Sequence, residues 1–371
     1  MMVYFRFELK KWVKSSKNQS ILLALIIFLI GGYFVAQHEM KVREELNREE
    51  LRSNYLNLYS NHQVLLHSSE GSDQLIKAYS EAIDNLDEYA RKLSRKDWKK
   101  SLNYHIDYLL ALEKIQILGG ELPSLKEEIK LTLAKDQYFL EKNIEPIDEL
   151  FGTYGWYYII TVLRIFFSYG GTILICLLFF DLYVKEVEEN TILLLNTLPL
   201  DRKKIGITKL KMSLINSLII TSVTLFISFF IGSIFSGKTG SLVYPIVIQY
   251  TDNKFNILLL YQYIIIAFLL FNCFLFFMLS CIYGLSFVVK NSMTMLYICL
   301  GLSTLPSLFL NELLGQFSLV RLLPFYYEEI GKRIVDNVSN NQMKRFILEG
   351  FLMFLIITMI AIVAKKNKRQ E

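Results

Sequence analysis

Residues 181–211 read DLYVKEVEENTILLLNTLPLDRKKIGITKLK, a charged stretch set between two long apolar runs. It opens with Asp181, Glu186, Glu188 and Glu189, passes through an apolar patch at Ile192–Leu195, and meets a lone Pro199 that stops a helix. Acidic groups favour a helix N-terminus, and Val187, Thr191, Leu194 and Leu198 recur at helical spacing. Asp201 then caps a second helix whose basic start, Arg202, Lys203 and Lys204, leads into the next apolar run. A plain linker needs no apolar stripe. The spacing predicts a helical elbow, 181–211, that docks on a partner.

Working outward, the chain of 371 residues is 53% hydrophobic, too apolar for an ordinary soluble domain. About 18 or more nearly uncharged residues suffice to cross a bilayer as a helix, and six runs qualify: 20–36, 156–180, 212–235, 257–289, 292–311 and 346–364. The fourth exceeds one straight span and must tilt, kink or extend. Lys and Arg gather at the N-terminus (Arg6, Lys10, Lys11, Lys14, Lys17), in the elbow, at Lys290 and in the basic tail 365–371. With an even number of spans, the positive-inside rule places all four in the cytoplasm. The first run lacks a cleavage site and is no signal peptide.

Residues 39–149 carry 22 acidic and 16 basic residues, so the overall net charge of +5 hides an acidic segment inside a basic membrane protein. That split argues against a nucleic-acid partner. Residues 37–155 therefore form an extracellular domain between the first two spans. Its apolar positions keep helical spacing, with breaks at Ser68–Asp73, Ser94–Asp97 and Gly119–Ser124, so about four helices are expected. Ser124 with Glu127 resembles a capping box. Residues 1–19 form an amphipathic interfacial helix, with Met2, Phe5, Leu9, Trp12 and Val13 on one face, or else a simple basic flank. The fold class is all-α and polytopic, with residues 156–364 as the remaining membrane domain.

Gly232–Thr239 fits the phosphate-cradling pattern G-x4-G-K-[ST]. It ends a 24-residue span instead of a short strand, on the side away from ATP, so it is read as a coincidence. His38, His62, His67 and His105 have no ligand spacing, all four cysteines lie in the spans, and no catalytic constellation appears. Polar groups inside spans are functional candidates. Arg164 either snorkels to the outer surface or faces a translocation path; Asn216 and Asn272 join helices or line the same path.

The elbow's order of Glu188-Glu189-Asn190-Thr191, Leu193-Leu194-Leu195, Leu198-Pro199-Leu200-Asp201-Arg202 and Lys209 resembles the first cytoplasmic connection of ABC-2 type permeases, the membrane subunits of ATP-driven exporters. Asn190 stands where the family commonly has glycine. The six spans, the N-terminal helix and the Pro324–Tyr327 segment also fit, whereas the large first loop resembles only a subgroup with an added ectodomain. The resemblance implies that Glu188, Glu189, Thr191, Leu195, Pro199 and Arg202 dock on a separate ABC ATP-binding subunit. It further implies ATP and magnesium on that partner with no cofactor in this chain, and a second permease copy or paralogue; few prolines and heavy Lys, Asn and Ile usage point to an AT-rich bacterial genome and so to a bacterial plasma membrane. Exported peptide (antimicrobial peptides included), lipid or amphipathic drug is the expected cargo. The alternative is mechanotransmission or sensing without cargo.

Overall fold

The computed structural model describes residues 2–67, 72–122, 126–147, 151–191, 202–251, 254–313 and 324–339. It is mostly helical and divides into two compact units. The first unit holds residues 1–34, 153–243 and 258–371, and the second holds 35–152 and 244–257.

In the first unit, α1 (Met2–Lys14) is followed after Ser15 by α2 (Ser16–His67). The side-chain amides of Asn18 and Gln19 turn back onto the carbonyls of Trp12 (2.9 Å) and Val13 (3.1 Å). They satisfy acceptors that the end of α1 leaves free. Tyr4 and Glu8 are buried, while Val3 and Val13 are exposed.

The expected second span is two helices, α6 (Gly155–Ile165) and α7 (Gly171–Phe179), joined by a π-turn over Phe166–Gly170. Phe167 and Ser168 leave helical geometry there, and the Ser168 hydroxyl donates to the Ile165 carbonyl at 2.7 Å. A one-turn helix α8 (Lys185–Glu188) precedes α9 (Arg202–Ser236), and then come α10 (Leu260–Leu285), α11 (Ser292–Leu313), a 3-10 turn at Pro324–Tyr327 and α12 (Ile330–Ser339).

Four helical stretches among the described residues are long and apolar enough to cross a membrane: Ser16–His67, Gly155–Phe179, Lys204–Ser236 and Leu260–Leu285. The fifth expected run falls on α11, of which Ser292–Thr304 counts as a shorter apolar helix. The sixth, 346–364, lies outside the described residues. The overlong fourth run resolves into a helix with strand residues before it and a turn after it.

Helix α9 has the inverted pattern of a helix whose solvent is apolar. Ser213, Asn216, Ser217, Thr221, Thr224 and Ser228 are buried, whereas Ile215, Leu218, Ile219, Val223, Phe226 and Phe230 are exposed. The Thr224 and Ser228 hydroxyls bond carbonyls four residues back, at 2.8 and 2.7 Å. Small and self-satisfied polar groups let helix backbones approach. Gly232 shows the effect: a Cβ there would lie 2.9 Å from both the Gly155 Cα and the Tyr158 Cβ on α6.

The second unit takes in α2 from Val35 onward and adds α3 (Asp73–Ser94), α4 (Trp98–Ile117) and α5 (Lys126–Lys142). The helix breaks fall where the Ser, Asp and Gly residues expected them. The Ser72 hydroxyl accepts from the Leu75 N–H (3.3 Å), and the Asp97 carboxylate accepts from the Lys100 N–H (3.4 Å). The Ser124 capping box lies outside the described residues. Leu58 of α2 joins Leu75, Tyr79 and Leu86 of α3, Leu112 and Ile115 of α4 and Ile129 of α5 in one core. His105 bonds the buried Asp136 at 2.5 Å between α4 and α5, and stacks on Tyr89 with ring centres 4.4 Å apart.

The all-α expectation needs one correction. β1 (Pro245–Thr251) and β2 (Lys254–Leu259) pair as a two-stranded sheet. The sequence was consistent with this. Ile246, Val247 and Ile248 are β-branched residues that favour a strand.

The α6–α9 contact gives a direct test. Gly232→Leu should cost about 1–3 kcal/mol by overpacking, read as a lower thermal midpoint of the detergent-solubilised protein. Gly31→Ala, where an added Cβ meets nothing within 4 Å, should leave the midpoint in place.

Candidate functional site

The start of the elbow is shaped by its own backbone. Lys185 N–H reaches the Asp181 carbonyl at 3.0 Å and Glu189 N–H reaches the Lys185 carbonyl at 2.9 Å, so α7 runs through a turn into α8. The turn ends at Asn190, whose φ is +54°. That left-handed conformation suits glycine and, among other residues, asparagine best. Asn190 therefore fills a glycine position for a conformational reason. Its N–H donates to the Val187 carbonyl (3.2 Å), and the Thr191 hydroxyl closes the turn onto the Glu186 carbonyl at 3.4 Å.

Glu186 is the centre of the site. One carboxylate oxygen lies 2.5 Å from the Lys209 ammonium of α9, and the other lies 3.1 Å from Lys11 of α1. Lys209 also donates to the Leu182 carbonyl at 3.0 Å. The Lys209 side chain is 2% exposed and that of Glu186 10%, while Lys11 is half exposed. Beside this trio, Lys17 at the start of α2 pairs with Asp181 at 2.5 Å and sits 4.5 Å over the Phe180 ring. Trp12 of α1 stacks on Phe179, ring centres 5.5 Å apart. Burial and the adjacent Glu8 carboxyl, with a smaller contribution from Glu186, hold the Tyr4 phenol well above its ordinary range.

Glu188 faces a different element. Its carboxylate accepts from both the backbone N–H (3.3 Å) and the hydroxyl of Ser292, the first residue of α11. Glu189 makes only a long pair with Lys185, at 3.8 Å. A single turn of chain is thus tied to α1, α2, α9 and α11. Close packing supports it: a Cβ on Gly206 of α9 would lie 2.6 Å from the Tyr283 hydroxyl of α10, whose ring is 5.0 Å from Tyr183.

Of the residues expected to dock, Glu188, Glu189 and Thr191 share this turn. Leu195 and Pro199 lie outside the described residues, as does Asp201. Arg202 is the first residue of α9, and its side chain is likewise outside them. The path candidates do not form one cluster. Asn216 is buried and bonds the Met212 sulfur of its own helix at 2.9 Å. Asn272 joins two helices, donating to the Phe268 carbonyl (2.8 Å) and accepting from the Thr221 hydroxyl (3.3 Å). Arg164 is exposed on the last turn of α6, next to the π-turn. Sequence reasoning named the acids of the elbow but not their partners. The available signal was Lys209, a cation at the same helical register as the buried Met212, Ser213 and Asn216.

The Gly232–Thr239 motif has a structural use. The carbonyls of Lys238 and Thr239 accept from the N–H groups of Gly155 (3.1 Å) and Trp156 (2.8 Å), the first residues of α6. A phosphate cradle needs converging N–H donors at the start of the helix that follows it. Here the helix precedes the motif, and the motif presents acceptors to another helix. Lys238 donates to the Tyr154 hydroxyl at 3.0 Å.

Removing one partner of a buried pair strands the other charge, at a cost of about 3–5 kcal/mol. Lys209→Met should therefore destabilise the solubilised protein strongly. The double variant Glu186→Leu with Lys209→Met should recover most of the loss, as a double-mutant thermal-melting cycle would measure.

Compared with known proteins, residues 5–328 match the family model described as ABC-2 family transporter protein. No curated protein and no solved structure matches the chain.

Proposed function

The chain belongs to the ABC-2 transporter family, and from that premise we propose that it is the permease subunit of an exporter driven by a separate ATP-binding subunit. Family membership implies such a partner and a multi-pass membrane protein without an ATPase of its own. The finer reading rests on one observation, the bracing of residues 181–191 by Glu186, Lys209, Lys11 and Ser292. A push on the elbow beyond Thr191 would arrive at a turn that cannot yield alone. It would displace the end of α1 and the starts of α9 and α11 together.

In this reading, ATP and magnesium bind the partner, two membrane subunits pair, and both termini and the elbow face the cytoplasm of a bacterial cell. The exposed Arg164 beside the π-turn is then a contact on the path of an amphipathic cargo such as a peptide, lipid or drug. An intramembrane cation is costly unless used, and π-turns recur at functional sites. The second compact unit supports the other reading, mechanotransmission or sensing. A core of its own, spanning residues 35–152 and 244–257, is more than a connection between two spans requires. In that case an external ligand would control ATP hydrolysis without being moved.

Three measurements bear on this. The purified chain alone should hydrolyse no ATP, and Lys238→Ala should leave hydrolysis by the complex unchanged; loss of hydrolysis would revive a nucleotide site at Gly232–Thr239. Leu195→Glu or Arg202→Glu should detach the ATPase subunit or lower coupled transport at least tenfold, and normal assembly with normal transport would remove the elbow's docking role. A cysteine introduced at Ser80 should react with an impermeant reagent on intact cells, whereas protection would reverse the orientation.

A further inference from the structure

The last turn of α4 departs from the core pattern of the second unit. Ala111, Leu112 and Ile115 are buried, whereas Leu110, Ile117 and Leu118 are exposed, Ile117 at 84%. The helix stops there because Gly119, with a φ of +80°, turns the chain back, and the Gly120 N–H donates to the Ile115 carbonyl at 2.9 Å. Between this turn and the first half of α3 lies a groove of about 320 Å³. Lys77, Ala78 and Glu81 of α3 line one side, and Lys114, Ile117 and Leu118 of α4 line the other. The Lys114 ammonium crosses the groove to the Glu81 carboxylate at 2.9 Å. That hydrogen bond, with a smaller contribution from Lys77, holds the Glu81 carboxyl below its ordinary range. Both lysines therefore act on the same acid. Two cations against one anion make a basic spot in a segment, 39–149, that carries 22 acidic and 16 basic residues.

We propose that the α3–α4 groove binds the carboxyl-terminal end of an apolar peptide, with the terminal carboxylate between Lys77 and Lys114 and the last side chain on Ala78, Ile117 and Leu118. The occupant follows from charge, size and bonding capacity. A lone exposed isoleucine needs no explanation, but here the apolar residues share one groove with two cations, the pairing that an amphipathic anion requires. The volume stands at the small end of ligand sites and suits the end of a chain rather than a folded partner. Gln74, which also lines the groove, offers both a donor and an acceptor. A peptide amide uses both, whereas a fatty acid has nothing to place there and a bare phosphate leaves the apolar side uncovered. The inference names a ligand for the sensing reading, and rests on that reading only for its effect on ATP hydrolysis.

The test uses the full chain in lipid nanodiscs and a Gly-Ala-Leu peptide with a fluorophore on its amino end, followed by fluorescence polarisation. The free acid should bind saturably and at least tenfold more tightly than the same peptide amidated at its carboxyl end, and high salt should weaken it by screening. An exposed ion pair is worth up to about fivefold, so Lys77→Gln with Lys114→Gln should weaken binding at least tenfold. Glu81→Gln removes the competing carboxylate and should strengthen it. Lys100→Gln, at an exposed lysine paired with Asp97 at the start of α4, should change nothing. The thermal midpoint of each variant shows that the fold is kept. Absence of saturable binding overturns the site, as does equal affinity for the amidated peptide or wild-type affinity in the double lysine variant. Octanoate or inorganic phosphate displacing the peptide at equal concentration overturns the peptide as occupant. In the complete complex with its ATPase subunit, the free acid should change ATP hydrolysis at least twofold, and the double lysine variant should not respond. Hydrolysis indifferent to a peptide that binds would overturn the sensing reading and leave the groove assigned.

Discussion

The first unit depends on one buried charge shared between helices far apart in sequence. Glu186 holds Lys209 at 2.5 Å with almost no solvent around either. Such a pair gains little over an apolar contact of the same shape, because desolvation cancels most of the attraction. What it supplies is definition. Leaving either group buried without its partner is costly, which favours the arrangement of α8 and α9 that keeps the two together. Lys11 and the Leu182 carbonyl use up further bonding capacity of the same groups, leaving little room for the turn to move by itself.

The surroundings obey the rules of an apolar solvent. On α9, the polar and small residues face inward and the branched and aromatic ones face outward. Buried hydroxyls bond their own helix, so the inward face adds close packing without demanding partners. Arg164 departs from this order, being a charge on an exposed face of an apolar helix. Its Cα lies eight residues past Trp156, roughly 12 Å along the helix at 1.5 Å per residue. If Trp156 marks the membrane boundary, as interfacial aromatic residues do, that depth exceeds an easy snorkel.

Much of this was legible beforehand, and the misses have physical causes. Ser72, Asp97 and Gly119 punctuate the second unit because capping and positive φ are local requirements, written within three or four residues. Asn190 was noticed as a departure, and its φ of +54° gives the reason. The hairpin at Pro245–Leu259 was hidden because β2 abuts a long apolar run and borrows its hydrophobicity. Ion pairs between residues 23 and 175 positions apart, Glu186 with Lys209 and with Lys11, leave no periodic trace at all.

The Gly232–Thr239 segment completes the mechanical argument. It has the composition of a nucleotide loop, but its carbonyls cap α6 and its lysine meets a tyrosine. Gly232 serves close packing on α6, while Gly237 has a φ of +68° and Gly240, just past the segment, one of +77°. Two ends of the α6–α9 pair are therefore fixed by different means. At one end, backbone acceptors and the Gly155–Gly232 contact hold the helices together without charge. At the other, α9 is held by a buried ion pair to the turn that follows α7. A displacement entering at the charged end meets a stiff joint, while between α6 and α7 the helical ladder is already broken at the π-turn.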